Sequence, residues 1–101
     1  MDAVADRIRQ RQADVPVACA FLELQQPDLA TAISALAARG VTYVHVLPMF
    51  LGVGKHARDD MPRLLDVVRD QHPGLTILAS APVGERAAVL DLLAELALEQ
   101  P

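Results

Sequence analysis

The sequence predicts an α/β fold, a three-layer sandwich with a mainly parallel sheet between helices, in a single domain of 101 residues. Three observations lead there. Short continuous apolar runs, too short for helices and without alternation, read as strands covered on both faces. Amphipathic stretches with apolar residues every three to four positions separate them. The resulting order, helix first and then three strand-helix units, calls for right-handed crossovers and parallel strands.

Val4, Ala5 and Ile8 among Arg and Gln give the first helix, over about residues 2–13. Pro16 opens the run Val17-Ala18-Cys19-Ala20-Phe21-Leu22, the first strand, which ends at Glu23. Gln25-Gln26-Pro27-Asp28 is a turn, with Pro27 and Asp28 suited to the first turn of a helix that Leu29, Ile33, Leu36 and Ala37 continue. Gly40 stops it as a left-handed cap. Val41 to Leu51 is β-branched and apolar, a second buried strand with Pro48 near its end. Gly52-Val53-Gly54 is a loop, and Met61, Leu64, Leu65 and Val68 mark a helix over 56–71 that His72-Pro73-Gly74 closes. A third strand spans 75–79. After Pro82-Val83-Gly84, the repeat of Ala88, Leu92, Leu93 and Leu96 predicts a last helix to about residue 99.

Nine Lys and Arg against thirteen Asp and Glu leave a net charge of −4, which disfavours a nonspecific nucleic-acid binder. The excess is local: Glu85, Asp91, Glu95 and Glu99 stand against Arg86 alone, a solvated helix face. Three aromatic residues offer little for base stacking. No apolar run reaches the length of a membrane span, and the first fourteen residues hold six charges where a signal peptide needs an apolar core, so the chain reads as cytoplasmic. The single cysteine, Cys19, excludes an internal disulfide and reads as an inert core thiol.

Parallel sheets bind ligands at the C-terminal ends of their strands, which singles out Glu23 and the 52–56 loop. A carboxylate directly after six apolar residues is partly desolvated, and needs a cation, a proton or a metal; a solvated loop Glu or a helix-capping partner is the other reading. His56 stands at a loop-to-helix junction, where a neutral imidazole can bind a divalent metal or move a proton, or simply cap the helix. His45, in mid-strand, reads as a core or subunit-contact residue, and His72 as a helix-end residue favoured by the helix dipole. Arg58, Asp59 and Asp60 read as a charged first turn. Gly52-Val53-Gly54-Lys55 is not a phosphate loop, because GxxxxGK[ST] is absent and position 56 has no hydroxyl for magnesium. No dinucleotide fingerprint or nucleophilic triad is legible.

Taken together, the A-F-L-E end of the first strand, Pro27, Leu29, Gly40, V-x-P-x-F-L, the G-x-H-x-x-x-D-x-P block through Asp60-Met61-Pro62, and the later H-P-G and A-x-P-x-G resemble the sirohydrochlorin chelatases, small class II chelatases of the CbiX/SirB type. The resemblance covers nearly all of the chain. It implies a chelatase-like, flavodoxin-like half fold. It also implies insertion of a divalent metal (Co²⁺ or Fe²⁺, with Ni²⁺ a further option) into a sirohydrochlorin-type tetrapyrrole, in cobalamin or sirohaem synthesis, with no organic cofactor. The family's active-site glutamate falls on Glu23 and its C-terminal histidine on His56. Metallation strips two pyrrole protons while delivering a partly dehydrated cation, so weak exchangeable ligands and a base suit it. His56 is then metal ligand and proton acceptor, Glu23 second ligand or proton relay, and Lys55 and Arg58 partners of the macrocycle's carboxylates.

The resemblance also implies an earlier strand ending in an H-G-S-R-like motif with a further histidine. This chain has no counterpart, so residues 1–101 read as one chelatase domain, N-terminally incomplete and lacking its first strand. A start placed too far downstream, a fragment, or a partner subunit supplying the strand would each account for that. The alternative function is an inactive chelatase-like domain that binds metal or tetrapyrrole or serves as an assembly partner. A homodimer is expected from the resemblance.

Overall fold

A computed structural model describes residues 2–21, 26–51 and 55–100, with side chains 55–59 excepted. Four helices and a parallel pair of strands follow the expected order: α1 (Asp2–Arg11), α2 (Leu29–Ala38), β1 (Tyr43–Val46), α3 (Lys55–Gln71), β2 (Thr76–Ala79) and α4 (Ala87–Ala97), with a 3₁₀ turn at Val83–Glu85. The α/β class read from the sequence holds.

The strands pair with Val44 opposite Ile77, and these two residues are buried. Leu29 and Ile33, one turn apart on α2, and Leu65 and Val68 on α3 close over them to form the core. One face of the sheet is therefore covered by two helices. The other pairs, Tyr43–Thr76 and His45–Leu78, lie on the opposite face and are exposed, Tyr43 at 55% and Leu78 at 52%. Strands covered on both faces were expected, and His45 is accordingly not a core histidine. The helix available to cover that face, α4, has no buried residue and packs chiefly on the 3₁₀ turn. That turn is tied to the end of the β1 segment by the Val83 and Gly84 amides, which donate to the Pro48 and Phe50 carbonyls at 2.9 and 2.8 Å.

The described part of the expected first strand, 17–21, forms no sheet strand; Leu22 lies outside the described residues. Phe21 makes an isolated parallel bridge to Asp28. Among the described residues, Ala18 to Ala20 have no backbone partner, so a strand-like composition has no neighbour to form a ladder with. Cys19, expected in the core, is half-buried. The 41–51 strand is shorter than its composition suggests, since Pro48 brings no N–H to a ladder. The two edges of the sheet differ. Arg69 lies across the outer edge of β2, its Nε and Nη2 donating to the Ile77 carbonyl at 3.3 and 2.9 Å.

The openness shows in the surface. The chain exposes 7494 Å², where a compact monomer of 10.9 kDa exposes about 5,600 Å². Its radius of gyration is 15.2 Å against about 12.7 Å for a compact chain of this length.

Local signals in the sequence are realised closely. Gly40 has φ +86°, the left-handed conformation after α2. Asp28 is the N-cap of α2 rather than part of its first turn, and its carboxylate accepts from the Thr31 amide at 2.8 Å. The hydroxyl of Thr31, and then this amide, hold the Asp28 carboxyl below the usual carboxylate range. A lowered pKa stabilises the fold above the unfolded-state value, and that contribution is lost as pH falls through the folded-state value. Asp28→Ala is expected to lower the thermal midpoint by a few degrees at neutral pH, with the difference closing in strong acid, as melting curves at the two pH values would show.

His72 follows the end of α3 as expected, and its Nε2 meets the Ser34 hydroxyl of α2 at 2.9 Å. Asp59 and Asp60 do not belong to a first turn, because α3 starts at Lys55; Asp60 instead pairs with Arg63 at 2.7 Å.

Candidate functional site at the strand ends

The parallel pair points the C-terminal ends of β1 and β2 the same way, and the chain there opens into a pocket of about 380 Å³. Pro48 and Phe50 come from the end of the β1 segment, Ser80 and Pro82 from beyond β2, and Met61, Pro62 and Leu65 from the first half of α3. Asp66, Arg69 and Glu85 add charge to this largely apolar wall. Arg69 also pairs with Asp66 at 3.3 Å, so its guanidinium is shared between a carboxylate and the β2 edge. That arrangement fixes the pocket's inner side. The Ser80 amide donates to the Val46 carbonyl at 3.1 Å and extends the strand pairing to the pocket's lip.

Sequence reasoning did not select Arg69, Asp66 or Glu85. The i,i+3 spacing of Asp66 and Arg69 is visible in the sequence, but it fits any solvated helix pair. What gives Arg69 its place is the Ile77 carbonyl, reached only after the chain has turned at Pro73-Gly74.

The residues that were selected stand as follows. Lys55, His56 and Arg58 belong to the first turns of α3, whose start the 48–51 segment and the pocket-lining Met61 and Pro62 place at the C-terminal edge of the sheet. Their side chains lie outside the described residues, as does Glu23 altogether, so the structure does not bring the four together. Among the described residues, no group of three or more His, Cys, Asp or Glu side chains is arranged to hold a metal ion. No helix among them is long and apolar enough to cross a membrane.

A parallel strand pair flanked by helices places the chain in the α/β class, and comparison with known proteins identifies it further. The CbiX family model matches residues 1–100, and the chain belongs to that family. It is 42% identical over 65 residues to the sirohydrochlorin cobaltochelatase of Methanothermobacter thermautotrophicus, an alignment covering 64% of this chain and 45% of that protein. It is 29% identical over 87 residues to a sirohydrochlorin ferrochelatase of Priestia megaterium, covering 85% of this chain and 33% of the relative. Among solved structures, the CbiX protein of Marinobacter aquaeolei VT8 superposes with a TM-score of 0.74 at 25% identity, over 95% of this chain and 78% of that one. The chain thus spans less than half the length of these two chelatases.

Proposed function

We propose that this chain takes part in inserting a divalent metal, cobalt or ferrous iron, into sirohydrochlorin, the reaction of cobalamin or sirohaem synthesis. The observation that carries this reading is the family match along residues 1–100, joined to the position of α3 at the strand ends. The named relatives include both a cobaltochelatase and a ferrochelatase, which supports a site of exchangeable ligands that does not itself select the metal.

In this reading His56 ligates the incoming cation through its one free imidazole lone pair and, once the cation has passed to the macrocycle, accepts a pyrrole proton there, while Glu23 serves as second ligand or takes the other pyrrole proton and relays it outward. Lys55 and Arg58 pair with carboxylates on the macrocycle's rim, where charge-assisted hydrogen bonds hold it across the strand ends. A basic first turn of α3 is suited to that task because two cations flank His56 without occupying it. A homodimer belongs to the same proposal, supported by the exposed leucines of α4 and by the surplus surface. Placement in the cytoplasm rests on the single cysteine and the lack of an apolar span in the sequence.

The test follows the absorption change when sirohydrochlorin and Co²⁺ or Fe²⁺ are added. Turnover above the uncatalysed rate is expected, with His56→Ala and Glu23→Ala each lowering it by about 10² or more, the scale of a positioned acid–base group. Binding of the tetrapyrrole without turnover would assign the chain to the non-catalytic reading. Unchanged rates in both variants would overturn the residue roles.

A further inference from the structure

We propose that the pocket of about 380 Å³ between α3 and the 3₁₀ turn binds a small organic cation, a primary ammonium carried on an aromatic body. The inference does not rest on the chelatase reading. The carboxylates of a macrocycle have the wrong sign for this lining, so its occupant is a different ligand.

The walls supply the first argument. Pro48, Pro62 and Pro82, with Phe50 and Met61, make much of the lining. Proline rings have little freedom to lose, and the turn that carries Pro82 is held from its backbone. The Val83 and Gly84 amides donate to the Pro48 and Phe50 carbonyls, and a Cβ at Gly84 would meet the carbonyls of Phe50 and Leu51. Arg69 is fixed in turn by the Ile77 carbonyl and by Asp66. The cavity therefore exists before a ligand arrives, which spares binding the cost of ordering its walls. A cavity of about 150 Å³ holds a benzene ring, so this one has room for a ring with a short arm.

Charge gives the second argument. Asp66, Arg69 and Glu85 all line the pocket. Asp66 and Arg69 neutralise each other at 3.3 Å, and Arg69 spends Nε and Nη2 on the Ile77 carbonyl. Among the described residues Glu85 has no ion-pair partner, so the lining carries one uncompensated negative charge. Pro62 brings no N–H to α3, which leaves the Arg58 carbonyl, one turn back on the same side, without its intrahelical donor. An ammonium group, with one positive charge and three donors, suits both acceptors. An anion meets two carboxylates and an arginine already engaged. A hydrated metal ion gains nothing from the apolar walls, so the cation is an organic one.

The probe is 2-phenylethylamine, charged at pH 7, titrated into the full chain while amide shifts are followed by NMR. Saturable shifts are expected at Met61, Leu65, Ser80 and Glu85. The neutral isostere 2-phenylethanol is expected to bind the same place up to about fivefold more weakly, the size of one solvent-exposed ion pair, and the anion 3-phenylpropanoate to leave these amides unmoved. Glu85→Gln is expected to bring the amine down to the affinity of the alcohol. Added salt reads the same charge without a substitution, weakening the amine and sparing the alcohol. Four results would overturn the proposal. The first is no saturable shift with the amine. The second is equal binding of amine and alcohol at low salt, which would show an apolar hole without charge selection. The third is tightest binding of 3-phenylpropanoate, which would put Arg69 in command of the pocket. The last is an amine affinity that neither Glu85→Gln nor salt alters.

Discussion

Gly84→Ala is expected to lower the thermal midpoint by several degrees and to loosen the rim of the strand-end pocket. The backbone at Gly84 is not in the left-handed region, so the demand there is for space. A Cβ at this position would lie 2.7 Å from the Phe50 carbonyl oxygen and closer still to that of Leu51. Both obstacles are backbone and cannot rotate aside. The same stretch carries the Gly84 amide's bond to Phe50, so relief of the clash breaks the tie between the 3₁₀ turn and the end of the β1 segment. Overpacking of this kind costs about 1–3 kcal/mol. Gly74→Ala is the control: a Cβ there meets nothing within 4 Å, and the exchange is expected to be neutral or to stabilise by up to about 1 kcal/mol. Melting curves of the two variants, with amide exchange at residue 84, provide the comparison. Equal midpoints would show that the turn does not depend on this close approach.

The second large effect is expected at Ile33. It is 2% exposed and packs in the cluster that joins α2 and α3 to the sheet. Ile33→Ala removes apolar volume at the point where both helices meet Val44 and Ile77, at a cost of about 2–5 kcal/mol. Stabilities of small domains are about 5–15 kcal/mol, so the variant loses a large fraction of what holds it folded. Its midpoint should fall by about 10 °C or more, read by circular dichroism. A drop of only a degree or two would mean that the open sheet face, rather than this cluster, governs unfolding.

The helices were legible because their signals are local. Gly40 has no Cβ to oppose a positive φ, Asp28 offers an acceptor to Thr31, and the apolar spacing on α2 and α3 is the spacing of their buried faces. Strands were legible only where a partner exists. Thr76–Ala79 and Tyr43–Val46 pair with each other, whereas Val17 to Phe21 has the same apolar texture and no ladder, since composition encodes a preference for pairing and not the presence of a neighbour.

The bare face of the sheet was unreadable for a related reason. Leu90, Leu93 and Leu96 give α4 an apolar stripe, and nothing in that stripe says which surface it meets. At the site, the strand-end rule selected Glu23 and the 52–56 loop, of which only the backbone of Lys55 and His56, at the start of α3, lies within the described residues. It passed over Arg69, whose role depends on a carbonyl contributed by the next strand.

That arginine has an effect on how the molecule can associate. With its guanidinium seated on the Ile77 carbonyl, one flank of the ladder is terminated from within, while among the described residues no backbone group pairs with the flank at Tyr43 to Leu47. An edge-to-edge contact between two copies at that flank would leave a flank capped by Arg69 on either side, so pairing would stop at two. A two-stranded sheet with both flanks free would pass its pattern from copy to copy as a fibre does. Replacing Arg69 would thus endanger solubility more than stability, turning a terminated ladder into a propagating one.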